Sequence, residues 1–534
     1  MTNFSFDAPL NTYTNYLNNV ASSLKLNELP ALVTAIEQTN WEEPTSASDL
    51  NNFAVITLIE AELTQDLSLR AFNTEIAIEA LQQGSDLKEY PLCKAHLALV
   101  RGMLGEVNSA RQIAYANFIE SLQELYNSQK DVPLGLIYLP KLMYSSALLV
   151  SERLEKLLSA KNGQAQTLLF QTEVLCRSRL VFYNAVGKRF LQLANQVDST
   201  SAALNLQLGL ASLMNKEWEG LLYLQKAHKI NPNNASILQA LYLAYRKLNS
   251  QQTAQFWLET AQVIAKETPS SSSNLWKWTE LSLDNPFTYV PFQENLLLSV
   301  EANLYSIVTS VLMLEGDWFE AEMEFWRDQL KLGMTVIDVG ASVGVYTFSA
   351  ADQVGSTGRV LAIEPFSSCV RCLHETCRIN DLPQVSVHVG AASNYSGTAK
   401  LALHEASELN EVTTEDVANS DSGNFEEITC FTLDNLVEKE KLKRVDWLKI
   451  DAEGHETKVL EGSHHLLSQF APNILYENIA GHQSSNIAMA EMLIEKGYKL
   501  FYYQPFLKQL LPVNSRQELF NQLNIIALPS QKVN

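Results

Sequence analysis

The sequence predicts a multidomain chain: an all-α N-terminal region of helical hairpins, then an α/β domain with a doubly wound, mostly parallel sheet. Three observations carry this. The chain has 534 residues, and a single hydrophobic core seldom serves more than about 250–300. Eight of the 21 glycines precede residue 290 and thirteen follow in the shorter remainder, so turn chemistry changes along the chain. The apolar period changes with it, from three- and four-residue spacing to short β-rich runs separated by helical ones. The expected division is residues 1–268 for the helical region, 269–314 for a linker and connecting segment, and 315–534 for the α/β domain.

An apolar share of 46% with 19% charged residues belongs to a globular chain that buries real cores. The formal charge of −21 gives an acidic surface that repels phosphates and anionic headgroups, and no basic patch offsets it. Nucleic-acid partners and membrane insertion are therefore not expected. The opening MTNFSFDAPL lacks the basic and apolar regions of a secretory signal, and there is no run of roughly 18 apolar residues to span a bilayer. The expected compartment is the cytoplasm. Cys369, Cys372, His374 and Cys377 cluster, but they fall on a predicted helix, SSCVRCLHETCRIN. There cysteine serves better as a small buried apolar residue than as a zinc ligand.

In the first region, DLNNFAVITLIEAELTQDLSLRAFNTEIAIEALQQG shows the amphipathic-helix period with small residues interleaved. Residues 201–234 and 235–268 form adjacent windows of 34 residues, each long enough for a helical hairpin, and that length resembles a tetratricopeptide repeat. The second window carries Leu238, Leu241, Tyr245, Ala254, Leu258 and Ala261 at packing positions. The first has Gly220, Leu224, Ala227 and Pro232 but a weak opening helix. Leu97, Ala98 and Ala110 hint at an earlier unit, so residues ~40–268 read as a degenerate array. The alternative is an irregular helical bundle. TPSSSSN at 268–274 is the clearest linker.

From Gly333 onward the pattern alternates: TVIDVG, a helix from Val343, RVLAIEP, a helix from Ser367, QVSVHVG, WLKIDAEG, a helix, NILYENI, another helix and KLFYYQP. Strands alternating with helices imply a parallel sheet covered on both faces, with ligands beyond the carboxyl ends of its strands. DVGASVGVYT at 338–347 follows the first strand. Gly340 permits a tight turn, Gly344 lets the helix pack near the strand, and Asp338 offers an acidic strand end. This is neither GxGxxG nor a Lys-bearing phosphate loop. Glu364 ends the next strand, twenty residues past Gly344, where a carboxylate accepts ribose hydroxyls. An acidic rim with no basic partner suits S-adenosylmethionine, with a nicotinamide-dependent oxidoreductase as the minority reading.

Four blocks resemble the FkbM family of methyltransferases over roughly the final 215 residues: KLGMTV with DVGASVGVYT, IEPF with the helix ending at Asn380, TLDNL at 432–436 with KIDAEGHETKVLEGS at 449–463, and LYEN at 475–478. KIDxEGxE followed by VLEG is the most diagnostic. Ser342 departs from the family's usual Asn. The resemblance implies a class I, Rossmann-like methyltransferase fold and methyl transfer, typically to a hydroxyl of a sugar, polysaccharide or secondary metabolite. It places Asp338, Gly340, Ser342 and Gly344 along the methionine and sugar portions of the cofactor, Glu364 on the ribose, and Gly390 and Ala391 on the adenine side.

Methyl transfer from a sulfonium asks an enzyme to align the acceptor and remove its proton. Asp451, Glu453, His455 and Glu456 follow the fourth strand, with Asp451 the first candidate for the proton and His455 the second. The plainer alternative is that Asp451 caps the next helix and that Glu453 and Glu456 favour its positive end. Glu477 and Asn478 would complete an oxygen-rich divalent metal site with Asp451 as a lesser alternative. His464 and His465 read as a solvated helix face. Trp318, Phe319, Phe325 and Trp326 precede the first strand on a predicted helix, as packing against the sheet or as a roof for the pocket. The leading expectation is an O-methyltransferase with a small-molecule or glycan acceptor and a helical module for a protein partner. The other is a non-catalytic scaffold with a degenerate sheet domain.

Overall fold

The computed structural model describes residues 7–20, 29–87, 90–127, 132–140, 156–160, 162–177, 185–268, 273–293, 295–413, 424–479, 486–520 and 522–532. The chain divides into two compact units, residues 1–241 with 506–508, and residues 242–505 with 509–534.

The described part of the first unit is mostly helical, and its helix starts are capped as the sequence dictates. Ser46 accepts the Asp49 N–H ahead of Ala47–Leu63, Asp66 accepts two N–H groups ahead of Leu67–Asp86, and Pro91 opens Pro91–Met103. Window 201–234 holds helices Ala202–Met214 and Gly220–Ile230. The opening helix is not weak: Ser201 caps it and twelve of its residues are buried. The pair crosses closely because a Cβ on Gly220 would lie 2.5 Å from the Gly209 carbonyl oxygen. Window 235–268 holds Ala235–Lys247 and Gln251–Glu267, and the boundary between the units falls inside the first of these. Most of the TPSSSSN segment, residues 269–272, lies outside the described residues. None of the described helices is long and apolar enough to cross a membrane.

The segment expected to connect the halves carries structure of its own. Strands β1 (Phe287–Phe292) and β2 (Leu296–Glu301) form an antiparallel hairpin. The Leu297 and Ser299 N–H groups of β2 donate to Asn380 and Thr376 of helix Ser367–Asn380. That helix buries Cys369 and Cys372, as the sequence suggests.

Twelve further strands follow among the described residues: β3 (Thr335–Val339), β4 (Arg359–Glu364), β5 (Val385–Val389), β6 (Ala391–Ala392), β7 (Gly397–Ala402), β8 (Glu411–Thr413), β9 (Phe425–Phe431), β10 (Trp447–Ile450), β11 (Asn473–Glu477), β12 (Tyr498–Gln504), β13 (Gln509–Pro512) and β14 (Asn524–Pro529). The main sheet has eight strands in the order β13-β12-β14-β11-β10-β3-β4-β5. Neighbours from β11 to β5 are parallel, while β14 is antiparallel to both β11 and β12. The chain builds outward from β3 to β5, then returns to lay β10 on the other side of β3. The β3/β10 boundary is therefore the switch point where such sheets open a crevice. A four-stranded sheet, β6-β9-β7-β8, is a feature that the alternating pattern does not announce.

Helix Glu322–Gln329 begins after Trp318 and Phe319, so only two of the four aromatics ride on it. Trp326 is fully buried, edge-on to Trp447 and Tyr346, and Phe325 meets Trp447 and Tyr503. Both pack against the sheet.

Candidate active site

β3 ends at Asp338 and Val339, and the chain turns through Gly340, Ser342 and Gly344 into helix Val345–Val354. All three turn residues take positive φ, 74°, 50° and 100°. Ser342 does so with a Cβ, a conformation that side chains seldom adopt. What holds it there is the end of β4. The Ser342 N–H donates to Glu364 Oε2 at 2.8 Å, and the Gly340 and Ala341 N–H groups both reach the Ile363 carbonyl at 3.0 Å. Gly340 also meets the β10 loop, since a Cβ on it would lie 1.6 Å from the Asp451 carbonyl oxygen.

Asp338 is 1% exposed. Its Oδ2 accepts the Thr347 hydroxyl at 2.5 Å, and its Oδ1 is buried with no hydrogen-bond partner among the described residues. Burial raises its pKa, against the pull of the Lys449 charge. A buried acceptor left alone costs about 1–3 kcal/mol, so this oxygen is a place for a donor that the chain does not supply.

Glu364 accepts the Phe366 N–H on Oε1 and the Ser342 N–H on Oε2, both at 2.8 Å. Burial pushes it up to about 7, with those two N–H groups pulling the other way. Each oxygen keeps a lone pair for another donor. Past β5, Gly390 (φ 136°) donates its N–H to the Glu364 carbonyl at 3.0 Å, and Ala391 opens β6.

Asp451 follows β10. Its Oδ2 accepts the Lys449 ammonium at 2.7 Å. Lys449 is 3% exposed, lies opposite Asp338 in the β10–β3 ladder, and sits 4.4 Å over the Tyr346 ring. Burial alone would lower its pKa, but the carboxylates of Asp451, Asp338 and Glu320 outweigh it and raise the value. The Tyr346 hydroxyl in turn donates to Glu320. In the sequence Lys449 is one letter of KIDAEG. The available signal was a lysine in the buried strand WLKI, which no lysine enters without partners.

Glu477 ends β11, with Oε2 buried and without a partner among the described residues. Burial and the carboxylates of Asp451, Glu453 and Glu456 drive its pKa far above the ordinary range. Asp451, Glu453 and Glu477 each bring one oxygen within 4.8 Å of the others. Asn478, beside Glu477, donates its amide N–H groups to the Leu519 and Gln522 carbonyls, and its Oδ1 is buried without a partner among the described residues. The Lys449 ammonium already answers part of this negative charge.

His455 turns to Ser393, its Nε2 lying 3.0 Å from the Ser393 hydroxyl, and burial lowers its pKa. Glu456 is a loop clamp: Oε1 accepts the Ala452 and Gly454 N–H groups and Oε2 the Asn486 amide. His464 and His465 are exposed. The predicted residues thus gather at the carboxyl ends of β3, β4, β5 and β10. Direct contacts link Gly340 to Asp451 and Ser342 to Glu364, and Glu364 continues to Gly390.

Comparison with known proteins bears on this edge of the sheet. Residues 338–500 match the methyltransferase FkbM domain. No curated protein matches the chain. Among solved structures it is similar to a methyltransferase FkbM from Methylobacillus flagellatus KT (16% identity, TM-score 0.25), covering 42% of this chain and 53% of that one. It is also similar to a SAM-dependent methyltransferase from Aquifex aeolicus (14%, TM-score 0.22, 39% and 88%). A third is M. jannaschii TYW2 in complex with AdoMet (12%, TM-score 0.24, 46% and 86%). The chain spans about half the length of the Methylobacillus protein. The FkbM match begins at Asp338 and contains every predicted site residue, together with Lys449 and Glu477.

Proposed function

We propose that the α/β unit is an S-adenosylmethionine-dependent methyltransferase acting on a hydroxyl of a sugar, polysaccharide or secondary metabolite in the cytoplasm. In this reading the helical unit is a tetratricopeptide-like module for substrate or partner recognition. One observation carries the cofactor assignment: the orphaned, buried Oδ1 of Asp338 stands on the strand next to Glu364, whose oxygens keep free lone pairs. Two such acceptors suit a ligand with a donor group at one end and a vicinal diol beside it. Asp338 with Gly340 and Ser342 would hold the methionine side, Glu364 the ribose, and Gly390 and Ala391 the adenine. The cofactor supplies a methyl group on a cationic sulfur.

The chain's own residues do the rest. The Asp451 carboxylate, anchored by Lys449, accepts the acceptor's hydroxyl proton. Glu477, driven towards its neutral form by burial and the neighbouring carboxylates, lies beside it. His455, bound to Ser393, orders the loop after β10. Calorimetric titration with S-adenosylhomocysteine, with NAD as control, tests the assignment without knowledge of the acceptor. Micromolar binding of the first alone supports it. No binding of either returns the weight to a non-catalytic scaffold.

A further inference from the structure

The helical unit contains a stretch that helix packing does not account for. Residues 132–140, VPLGLIYLP, form no helix, strand or turn, and Leu136, Ile137, Tyr138 and Leu139 are at most 1% exposed. No described strand pairs with them. Side chains serve their main chain instead, alternating from one side to the other as strand geometry requires. On one side, Gly135 exchanges both of its bonds with the Gln166 amide at 3.0 and 2.9 Å. Ile137 does the same with the Tyr13 hydroxyl, at 3.2 Å each way, and Leu139 with the Tyr16 hydroxyl at 2.7 and 3.0 Å. On the other side, the Leu136 N–H donates to Asn52 at 2.9 Å and its carbonyl accepts from Asn51 at 3.1 Å. The Tyr138 N–H donates to His96 Nε2 at 3.0 Å. These groups are braced in turn, His96 Nδ1 on Asn51 Oδ1 at 2.9 Å and the Asn52 amide on Thr39 at 2.9 Å.

Six polar side chains from four helices are thereby committed to the main chain, which every peptide offers whatever its sequence. Main-chain hydrogen bonds for affinity, with pockets for selected side chains, is the chemistry by which proteins capture an added strand. One position reads the side chain directly: a Cβ on Gly135 would lie 2.1 Å from the Tyr90 hydroxyl oxygen and 3.2 Å from the Asn51 amide nitrogen. The four apolar residues after it are sealed from water.

We propose that this channel is a receptor for an extended peptide strand, filled by the chain's own residues 132–140. Its partner ligand is an extended segment of another protein with a glycine followed by four apolar residues. The resident strand keeps the receptor closed until such a segment replaces it. The proposal does not depend on the methyltransferase reading, because every residue in it belongs to the first unit.

The test uses the full-length chain with Gly135→Val, which evicts the resident strand, and a fluorescein-labelled VPLGLIYLP peptide followed by anisotropy. The peptide is expected to bind the variant at least about tenfold more tightly than the wild type, whose channel is filled. Adding Asn51→Ala and Asn52→Ala should reduce that binding by about tenfold or more. If Gly135→Val does not fold alone, refolding with the peptide should recover the helical circular dichroism. Absence of binding to a folded variant, or of recovery from an unfolded one, overturns the proposal and makes residues 132–140 a covalent core strand. Binding that survives loss of Asn51 and Asn52 overturns the main-chain readout.

Discussion

The channel of the helical unit and the strand ends of the α/β unit treat buried polar atoms in opposite ways. In the helical unit every N–H from Gly135 to Leu139 has a side-chain partner, across as many as 124 residues of sequence. At the strand ends of the α/β unit, Asp338 Oδ1 and Glu477 Oε2 are equally buried and have none. A complete network rigidifies the fold that contains it, whereas an orphaned acceptor is a standing cost that a proton, a water or a ligand donor removes. The difference separates a site that the chain fills with its own residues from one that it leaves unfilled.

The largest break in that comparison should come from Gly340→Ala. Its Cβ would meet the Asp451 carbonyl at 1.6 Å with φ at 74°, so the β3 turn and the β10 loop must part. Loss of S-adenosylhomocysteine binding and of more than about 4 kcal/mol in denaturant unfolding is expected. A near-native midpoint would mean that the two loops are not held together as described. Next is Lys449→Met, which leaves Asp338, Asp451 and Glu320 without their buried cation. Removing one partner of a buried pair costs about 3–5 kcal/mol. The loss should be greater at pH 8 than at pH 5, where carboxyl groups take up protons in its place. A loss equal at both would refute the charge argument.

The same small deletion made in each unit sharpens the contrast. Tyr13→Phe removes one hydroxyl and orphans both main-chain groups of Ile137, so it should cost about 2 kcal/mol of stability and leave S-adenosylhomocysteine binding alone. Asp338→Asn should do the reverse. The fold stays, because a desolvated carboxylate is replaced by a neutral amide of the same shape, and affinity falls by about tenfold to a hundredfold as a charge-assisted bond is lost. Thermal unfolding and calorimetry on the two variants read all four quantities. Equal losses of binding would dissolve the distinction.

The sequence was most readable where chemistry is local. Gly340, Gly344 and the strands around them are written in ten consecutive letters, and Glu364 lies at a fixed distance beyond. Lys449 was harder to see because its meaning depends on register, on which residues of β3 and β10 stand side by side. The β1–β2 hairpin and the small sheet of β6 to β9 lay outside an alternating helix–strand grammar, and FTYVPF carries a proline that argues against a strand. The channel was hardest of all. Tyr13, Asn51, His96 and Gln166 look like ordinary polar positions on helices, and nothing near them in sequence tells that they converge on one extended segment.

The smallest expected effect concerns Glu364 and turns on a sign. Burial raises its pKa to about 7 from an ordinary 4.5. Between those values the folded chain holds a proton that the unfolded chain has released, so this group's contribution to stability is present at low pH and is lost as pH rises towards 7. Glu364→Gln cannot titrate, and its stability relative to wild type should therefore increase from pH 5 to pH 8. Binding runs the opposite way. On the proposed assignment ribose hydroxyls donate to the ionised form, so wild-type affinity for S-adenosylhomocysteine should fall by about tenfold from pH 8 to pH 6, while the variant binds weakly at both. The difference between variant and wild type removes the shared contribution of Glu320 and Glu477, whose raised values bend both curves in the same direction, while the Asp338 charge belongs to the Glu364 effect itself. Flat wild-type affinity across that range, with stability still following the predicted sign, would leave Glu364 buried as described but facing something other than a sugar.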